Sequence, residues 1–155
     1  MAGVKQILLL TLLLTFTASA FEFTGKVVGV TDGDTITVLA EGNKQYKVRL
    51  QHIDCPETRQ PFATKAKQSL SSKVFGKEVT IKWDEMDRYK RILGEVYIGK
   101  RWINVELVSE GMAWHYKFFS KDKTMAAAET KARTAKLGIW SMPKLAAILN
   151  KVFKK

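Results

Sequence analysis

Five short segments rich in β-branched and aromatic residues, parted by turn residues and all falling before residue 98, constrain this chain more than any other feature. Phe23 to Val30 and Thr35 to Leu39 flank Asp32-Gly33, which supplies a hairpin turn. Gly42-Asn43 turns the chain into a third strand, Gln45 to Leu50, in which Tyr46, Val48 and Leu50 alternate. Glu78 to Trp83 and Ile92 to Tyr97 complete the set, with Gly99-Lys100 turning after the last. Between the third and fourth strands Phe62, Ala66, Leu70 and Val74 recur every fourth residue over Pro61 to Phe75. That is one stripe of an amphipathic helix, stopped by Gly76. Asn104 is placed to cap a short helix carrying Val105, Leu107 and Val108 and closed by Gly111. An Ala-rich helix spans about Lys123 to Lys136, ahead of Gly138. Strands early and helices outside imply an α+β, mainly β fold. The expected form is a five-stranded Greek-key barrel of the OB type with three helices packed outside, whose open face commonly holds nucleic acid.

Both ends of the chain read differently from its middle. Lys5 gives a short positive region, Ile7 to Phe16 is almost unbroken in its apolarity, and Ala18-Ser19-Ala20 is a small-residue cleavage site. Residues 1–20 are therefore expected to be a secretory signal peptide cut between Ala20 and Phe21, leaving a secreted or periplasmic protein; the apolar run is short for a membrane span. Residues 21–141 have the size of one domain with a real core. Residues 142–155 form a basic C-terminal extension. There Leu145, Ile148, Leu149, Val152 and Phe153 fall on one helical face, flanked by Lys144, Lys151, Lys154 and Lys155. This amphipathic helix is expected to pack on the barrel, the alternative being a weak contact with a membrane surface.

A formal net charge of +11 favours polyanionic partners, nucleic acid before anionic lipid. Cys55 is the only cysteine, so no internal disulfide can form. With only His52 and His115 available and neither in a partnering motif, Cys55 reads as a small side chain in a tight loop rather than a nucleophile.

The chemistry concentrates in three stretches. Arg49-Leu50-Gln51-His52-Ile53-Asp54-Cys55-Pro56-Glu57 brings a guanidinium, two carboxylates and a proline turn together. Upstream lies Thr31-Asp32-Gly33-Asp34-Thr35, and downstream Asp87-Arg88-Tyr89-Lys90-Arg91. Asp32-Gly33 alone is ordinary turn chemistry. Asp34 differs, because it opens a strand where an acid is disfavoured. Asp54 and Glu57 bracket a proline that restricts the local geometry, so both carboxylates can point at one locus. Acids this close repel one another unless a cation or an arginine sits among them. Their oxygens suit Ca²⁺ or Mg²⁺, while Arg49 and Arg91 offer forks of donors matched to a phosphate. A basic protein with such an acidic nest beside two arginines is expected to cut a phosphodiester.

In these motifs, together with Val48-Arg49-Leu50, Thr58 and the closing Gly138-Ile139-Trp140, the chain resembles the staphylococcal nuclease (thermonuclease) family over about Phe23 to Ser141. The resemblance implies an OB barrel and a Ca²⁺-dependent endonuclease that acts on DNA and RNA and leaves 3′-phosphate ends. A monomer with no obligate protein partner is expected. By the same resemblance Asp34 and Asp54 would bind Ca²⁺ through their carboxylates, assisted by the main-chain carbonyl of Cys55. Glu57 would position or deprotonate the attacking water. Arg49 and Arg91 would clamp the phosphate and stabilise the charge that grows in the transition state. Arg88 and Tyr89 match positions that contact a terminal phosphate, and in the region Trp114, His115, Tyr116, Phe118, Phe119 the stacking candidate is Tyr116. The chain departs from the type member in a shorter stretch between Glu57 and the first helix, and in Cys55, which stands where the type member has Thr. The competing reading is a non-catalytic OB-fold module that binds nucleic acid by charge and stacking; such a module has no use for Asp34, Asp54 and Glu57, which repel phosphate. A cationic membrane-active protein would explain none of the acidic nest.

Overall fold

The structure, a computed structural model, describes residues 21–152, and side chains as far as residue 148. The expected signal peptide, residues 1–20, lies outside them. Strands β1 (Phe21–Val30), β2 (Thr35–Ala40) and β3 (Lys44–Leu50) form an antiparallel meander, and β4 (Ile53–Asp54) is a two-residue fragment after it. After helix α1 (Ala63–Val74) come β5 (Glu78–Met86), β6 (Ile92–Ile98) and the short β7 (Arg101–Trp102). β5 pairs antiparallel with both β1 and β6, and the barrel closes where β3 runs parallel to β6, Val48 opposite Ile92 and Leu50 opposite Gly94. This is the expected five-stranded barrel. Period-two alternation builds it: Val48 and Leu50 on β3, Val79 and Ile81 on β5, and Ile92 and Val96 on β6 are buried, while Arg49, Glu95 and Tyr97 are only partly so. Irregularities at Val27/Gly29 and Trp83/Glu85 supply the extra bend a small closed sheet needs. At the seam there is no room for a side chain on Gly94: a Cβ would stand 2.8 Å from Ile81 Cγ2 and 3.2 Å from Val48 Cγ1.

Helices α2 (Ile103–Ser109) and α3 (Lys123–Thr134), with the fragment β8 (Trp114–His115) between them, cover the barrel together with α1. The stripe on α1 buries Ala66, Leu70 and Val74 as its spacing predicts. The helix starts two residues past Pro61 because Phe62 is left-handed at φ 69°, a conformation that cannot continue a helix. Asp122 caps α3, its Oδ1 accepting from Met125 N–H at 2.7 Å. A second, smaller core gathers Trp114, Ala132, Ile139 and Trp140. Helix α4 (Pro143–Val152) lays Leu145 and Ala146 on that cluster, whereas Ile148 is 58% exposed. The side chains of Leu149, Val152 and Phe153 lie outside the described residues.

Asn104 does not cap α2. It sits inside the helix, fully buried, while Trp102 holds the cap position without a side-chain bond. Its Oδ1 accepts from Val96 N–H at 2.9 Å, and its Nδ2 donates to the carbonyls of Gln51 at 2.9 Å and Gly94 at 3.3 Å. Sequence spacing suggests a local role; the actual partners are backbone groups of β6 and of the turn after β3, which the barrel brings to it. Asn104→Ala leaves one donor and two acceptors buried without it, so a urea melt is expected to show a loss of about 3 kcal/mol. A loss under about 1 kcal/mol would mean that water or a rearranged neighbour serves these groups instead.

Candidate active site

The acidic turn after β1 is organised by its own side chains. Asp34 N–H donates to Asp32 Oδ1 at 3.0 Å, and Thr31 N–H to the Thr35 carbonyl at 2.9 Å. This local bond at Asp32 shapes the turn. Gly33 is required for space: a Cβ there would stand 2.7 Å from Ala66 Cβ on α1 and 2.8 Å from Cys55 Sγ. Packing the turn this tightly buries Asp34, whose Oδ1 accepts from Thr35 Oγ1 at 2.9 Å. Opposite Thr35, Arg49 leaves β3 and sends Nη2 to Asp34 Oδ2 at 3.3 Å and to Asp54 Oδ1 at 3.0 Å. One guanidinium thus joins the turn to β4. Asp54 Oδ1 also accepts from Cys55 N–H at 3.1 Å.

These surroundings move the acids. Burial pushes the Asp34 carboxyl up to about 6, with Arg49 opposing and Asp32 adding to the rise. Burial also raises Asp54, again against Arg49, with Glu57 and Asp32 pushing the same way as burial. The Cys55 thiol rises far above its ordinary value through burial and then through the charges of Asp34, Asp32 and Asp54. Burial among these acids disfavours a thiolate nucleophile, and the side chain packs against Gly33 as a small loop residue.

Arg91 is held separately. The Asp87 carboxylate accepts from the N–H groups of Tyr89 at 2.8 Å and Arg91 at 3.0 Å, and from Arg91 Nε at 2.8 Å; its Oδ2 lies 2.7 Å from Arg91 Nη2. Desolvation of Asp87 is outweighed by these bonds, which keep its carboxyl below the usual range. The side chain is thereby a fixed bracket for the second guanidinium. Glu57 is exposed, at the mouth of the loop after Pro56. Its N–H donates to Gln60 Oε1 and its carbonyl accepts from Gln60 N–H, both at 2.8 Å.

All six residues expected to carry metal or catalysis, Asp34, Arg49, Asp54, Cys55, Glu57 and Arg91, line one cavity of about 410 Å³. Asp32 joins them. A second cavity of about 510 Å³ shares Arg49, Asp54 and Arg91 as its wall and adds Arg88, Tyr116 and Phe119. Tyr116 reaches it because β8 pairs with β4 and Tyr116 N–H donates to the His52 carbonyl at 2.9 Å. Phe119 lies 5.1 Å from Tyr116, centroid to centroid, whereas Trp114 and His115 are buried. Tyr89 lines neither cavity; it is 63% exposed, with the guanidinium of Arg88 4.8 Å and that of Arg91 5.5 Å from its ring.

The residues fit a hard divalent cation. Carboxylate oxygens of Asp32 and Asp34 lie within 4.8 Å of each other and of Cys55 Sγ, and Asp54 faces the same cavity. Three aspartates at one cavity put hard carboxylate oxygens foremost, a set that suits Ca²⁺ or Mg²⁺. Asp34, buried with its charge only partly offset by Arg49, gains most from a cation.

Three contributors do not stand out in the sequence. Asp32 reads there as a turn former only, although the residue that shapes the turn also enters the cavity. Asp87 carries a signal, being four residues before Arg91 in a turn, but an aspartate there is commonplace. Phe119 is one of several neighbouring aromatics, and only the paired fragments β4 and β8 decide which of them face the cavity.

Residues 47–142 match the family described as staphylococcal nuclease homologue, a span that holds Arg49 through Tyr116 but not the Asp32–Asp34 turn. The chain is 44% identical over 141 residues to an uncharacterized endonuclease of Haemophilus influenzae, covering 88% of this chain and 79% of that protein. It is 42% identical over 134 residues to a micrococcal nuclease of Shigella flexneri, covering 79% and 76%. To an uncharacterized endonuclease of Escherichia coli it is 36% identical over 138 residues, covering 88% and 90%.

Proposed function

This chain belongs to the family of staphylococcal nuclease homologues, and on that footing we propose that it is a secreted or periplasmic Ca²⁺-dependent endonuclease that hydrolyses DNA and RNA. The observation that carries this reading is the convergence of Arg49, Arg91 and Glu57 on one cavity beside the buried Asp34. Two guanidinium groups on one wall can hold the non-bridging oxygens of a phosphodiester and meet the negative charge that develops during attack. Asp34 and Asp54 keep Arg49 in place, and Asp87 does so for Arg91, so neither arginine must be reorganised when substrate arrives. The exposed carboxylate of Glu57 is free to orient or deprotonate a water at the cavity mouth. A calcium ion, held by Asp34, Asp54 and the Cys55 carbonyl beside Asp32, would supply charge neutralisation. Formation of 3′-phosphate ends follows from the family resemblance, and the location outside the cytoplasm from Ile7–Phe16 and Ala18-Ser19-Ala20.

Arg88 and Tyr116 are read as contacts to the nucleotide in the adjoining cavity, with the Tyr89 ring set against the guanidinium groups of Arg88 and Arg91. The direct test is digestion of plasmid DNA and of RNA. Cleavage is expected with Ca²⁺ and is expected to vanish in excess chelator, returning when Ca²⁺ is restored. Undiminished cleavage in chelator would remove the metal from the reading. Restoration by Mg²⁺ but not Ca²⁺ would replace its identity.

A further inference from the structure

A nucleic-acid strand held with its scissile phosphate between Arg49 and Arg91 must leave the cavity in two directions, because the chain continues with a phosphate at every nucleotide. One way leads to Arg88, Tyr116 and Phe119. The other crosses the wall made by Asp32, Pro56 and Thr58, which the catalytic cavity shares with a further hollow of about 330 Å³. That hollow is lined by Arg59 and Lys67, by the hydroxyl residues Thr31, Thr58 and Thr64, and by one acid, Asp32.

We propose that this hollow is a second phosphate subsite, which takes the backbone phosphate of the neighbouring nucleotide on the side away from Arg88 and Tyr116. Arg59 and Lys67 provide the charge, and the threonine hydroxyls provide neutral donors. The proposal rests on the nuclease reading and assigns the course of the strand through that site.

Three observations support it. Arg59 and Lys67 are exposed and in no ion pair among the described residues, as Lys47 and Lys100 also are, but Arg59 and Lys67 line the hollow that adjoins the catalytic cavity and the other two do not. Their charge is therefore unneutralised at that place. Thr64 and Lys67 stand three residues apart on α1 and so share a face, and the first turn of that helix carries no acid to repel an anion. Finally, Arg59 is held left-handed at φ 77° inside the loop that also carries Glu57, a loop closed by both Gln60 bonds to Glu57. A non-glycine residue persists there only when its surroundings impose it. The same bonds that set the Glu57 backbone therefore set Arg59 beside it.

The test compares Arg59→Asn/Lys67→Gln with wild type; asparagine tolerates the left-handed backbone, and a melt checks that the pair folds. Substrates are a long single strand and a dinucleotide with one phosphodiester, which is too short to reach the hollow. With the long strand KM is expected to rise about tenfold at nearly unchanged kcat, and the slope of log affinity against log salt to fall by about 0.7, the value for one phosphate on a single strand. With the dinucleotide the two proteins are expected to differ less than twofold in kcat/KM, on the order of experimental scatter. Lys47→Gln/Lys100→Gln removes the same charge from exposed positions outside the hollow and is expected to leave KM for the long strand unchanged. Equal KM for the Arg59/Lys67 pair and wild type on the long strand overturns the subsite. So does an equal rise on both substrates, or an equal rise in the Lys47/Lys100 pair. If wild type cleaves neither substrate the nuclease reading falls, and fluorescence anisotropy of the labelled long strand then decides the subsite: a Kd raised about tenfold in the first pair alone upholds it, and an unchanged Kd overturns it.

Discussion

Arg49→Lys is expected to lower kcat on nucleic acid by on the order of 10²-fold or more, although the formal charge is unchanged. The guanidinium spans two acids, with Nη2 at 3.3 Å from Asp34 and 3.0 Å from Asp54, and still lines the cavity. An ammonium has one nitrogen on a flexible stem. Its three donors can take over the two carboxylates that Nη2 bridges, but with no second nitrogen it cannot also present a planar fork to a phosphate. A rate loss of that size corresponds to about 3 kcal/mol of transition-state stabilisation. Steady-state kinetics with Ca²⁺ saturating, beside a thermal melt, separates the two roles. A lysine variant that melts like wild type and turns over like wild type would show that Arg49 only braces the acids, and the catalytic cavity would have to be sought elsewhere.

Glu57→Gln is the second large effect. The exposed side chain lies outside both cores, and what ties Glu57 to its loop is its backbone, through the two 2.8 Å bonds to Gln60. The amide keeps the size of the carboxylate and should leave the loop intact. What it loses is a base at the cavity mouth, so kcat is expected to fall by roughly 10²–10⁴-fold while the Kd for a non-cleavable oligonucleotide stays within a factor of about three. Parallel loss of binding and cleavage would instead assign Glu57 to the shape of the loop.

Much of this arrangement is legible in one dimension because it is written in local patterns. Val48 and Leu50 alternate with polar neighbours and end up inside the barrel; Ala66, Leu70 and Val74 repeat at helical spacing and end up beneath α1. The acids and arginines of the cavity are legible for a different reason. Asp34 at a strand start and Asp54 and Glu57 around a proline are costly or unusual placements, so their positions along the chain already signal chemistry. Residues whose local chemistry is ordinary give no such signal. Asn104 looks like a cap and is a buried tie between β6 and the turn after β3. Asp32 and Asp87 look like turn aspartates, and they are, but the turns they shape stand at the cavity.

What the sequence by itself determined is thus the set of elements, which face of each is apolar, and the side chains that bear the chemistry, since periodicity and turn preference act over a few residues. Only the tertiary structure decided which of those side chains meet. Closure of β3 on β6 and the pairing of β4 with β8 bring Asp34, Arg49, Asp54, Arg91 and Tyr116 from five separate segments to two adjoining cavities. Contacts between residues far apart in sequence depend on barrel closure and on steric limits such as the absent Cβ of Gly33 against Ala66 and Cys55. No local window contains that information, because the partner atoms lie on other strands and helices.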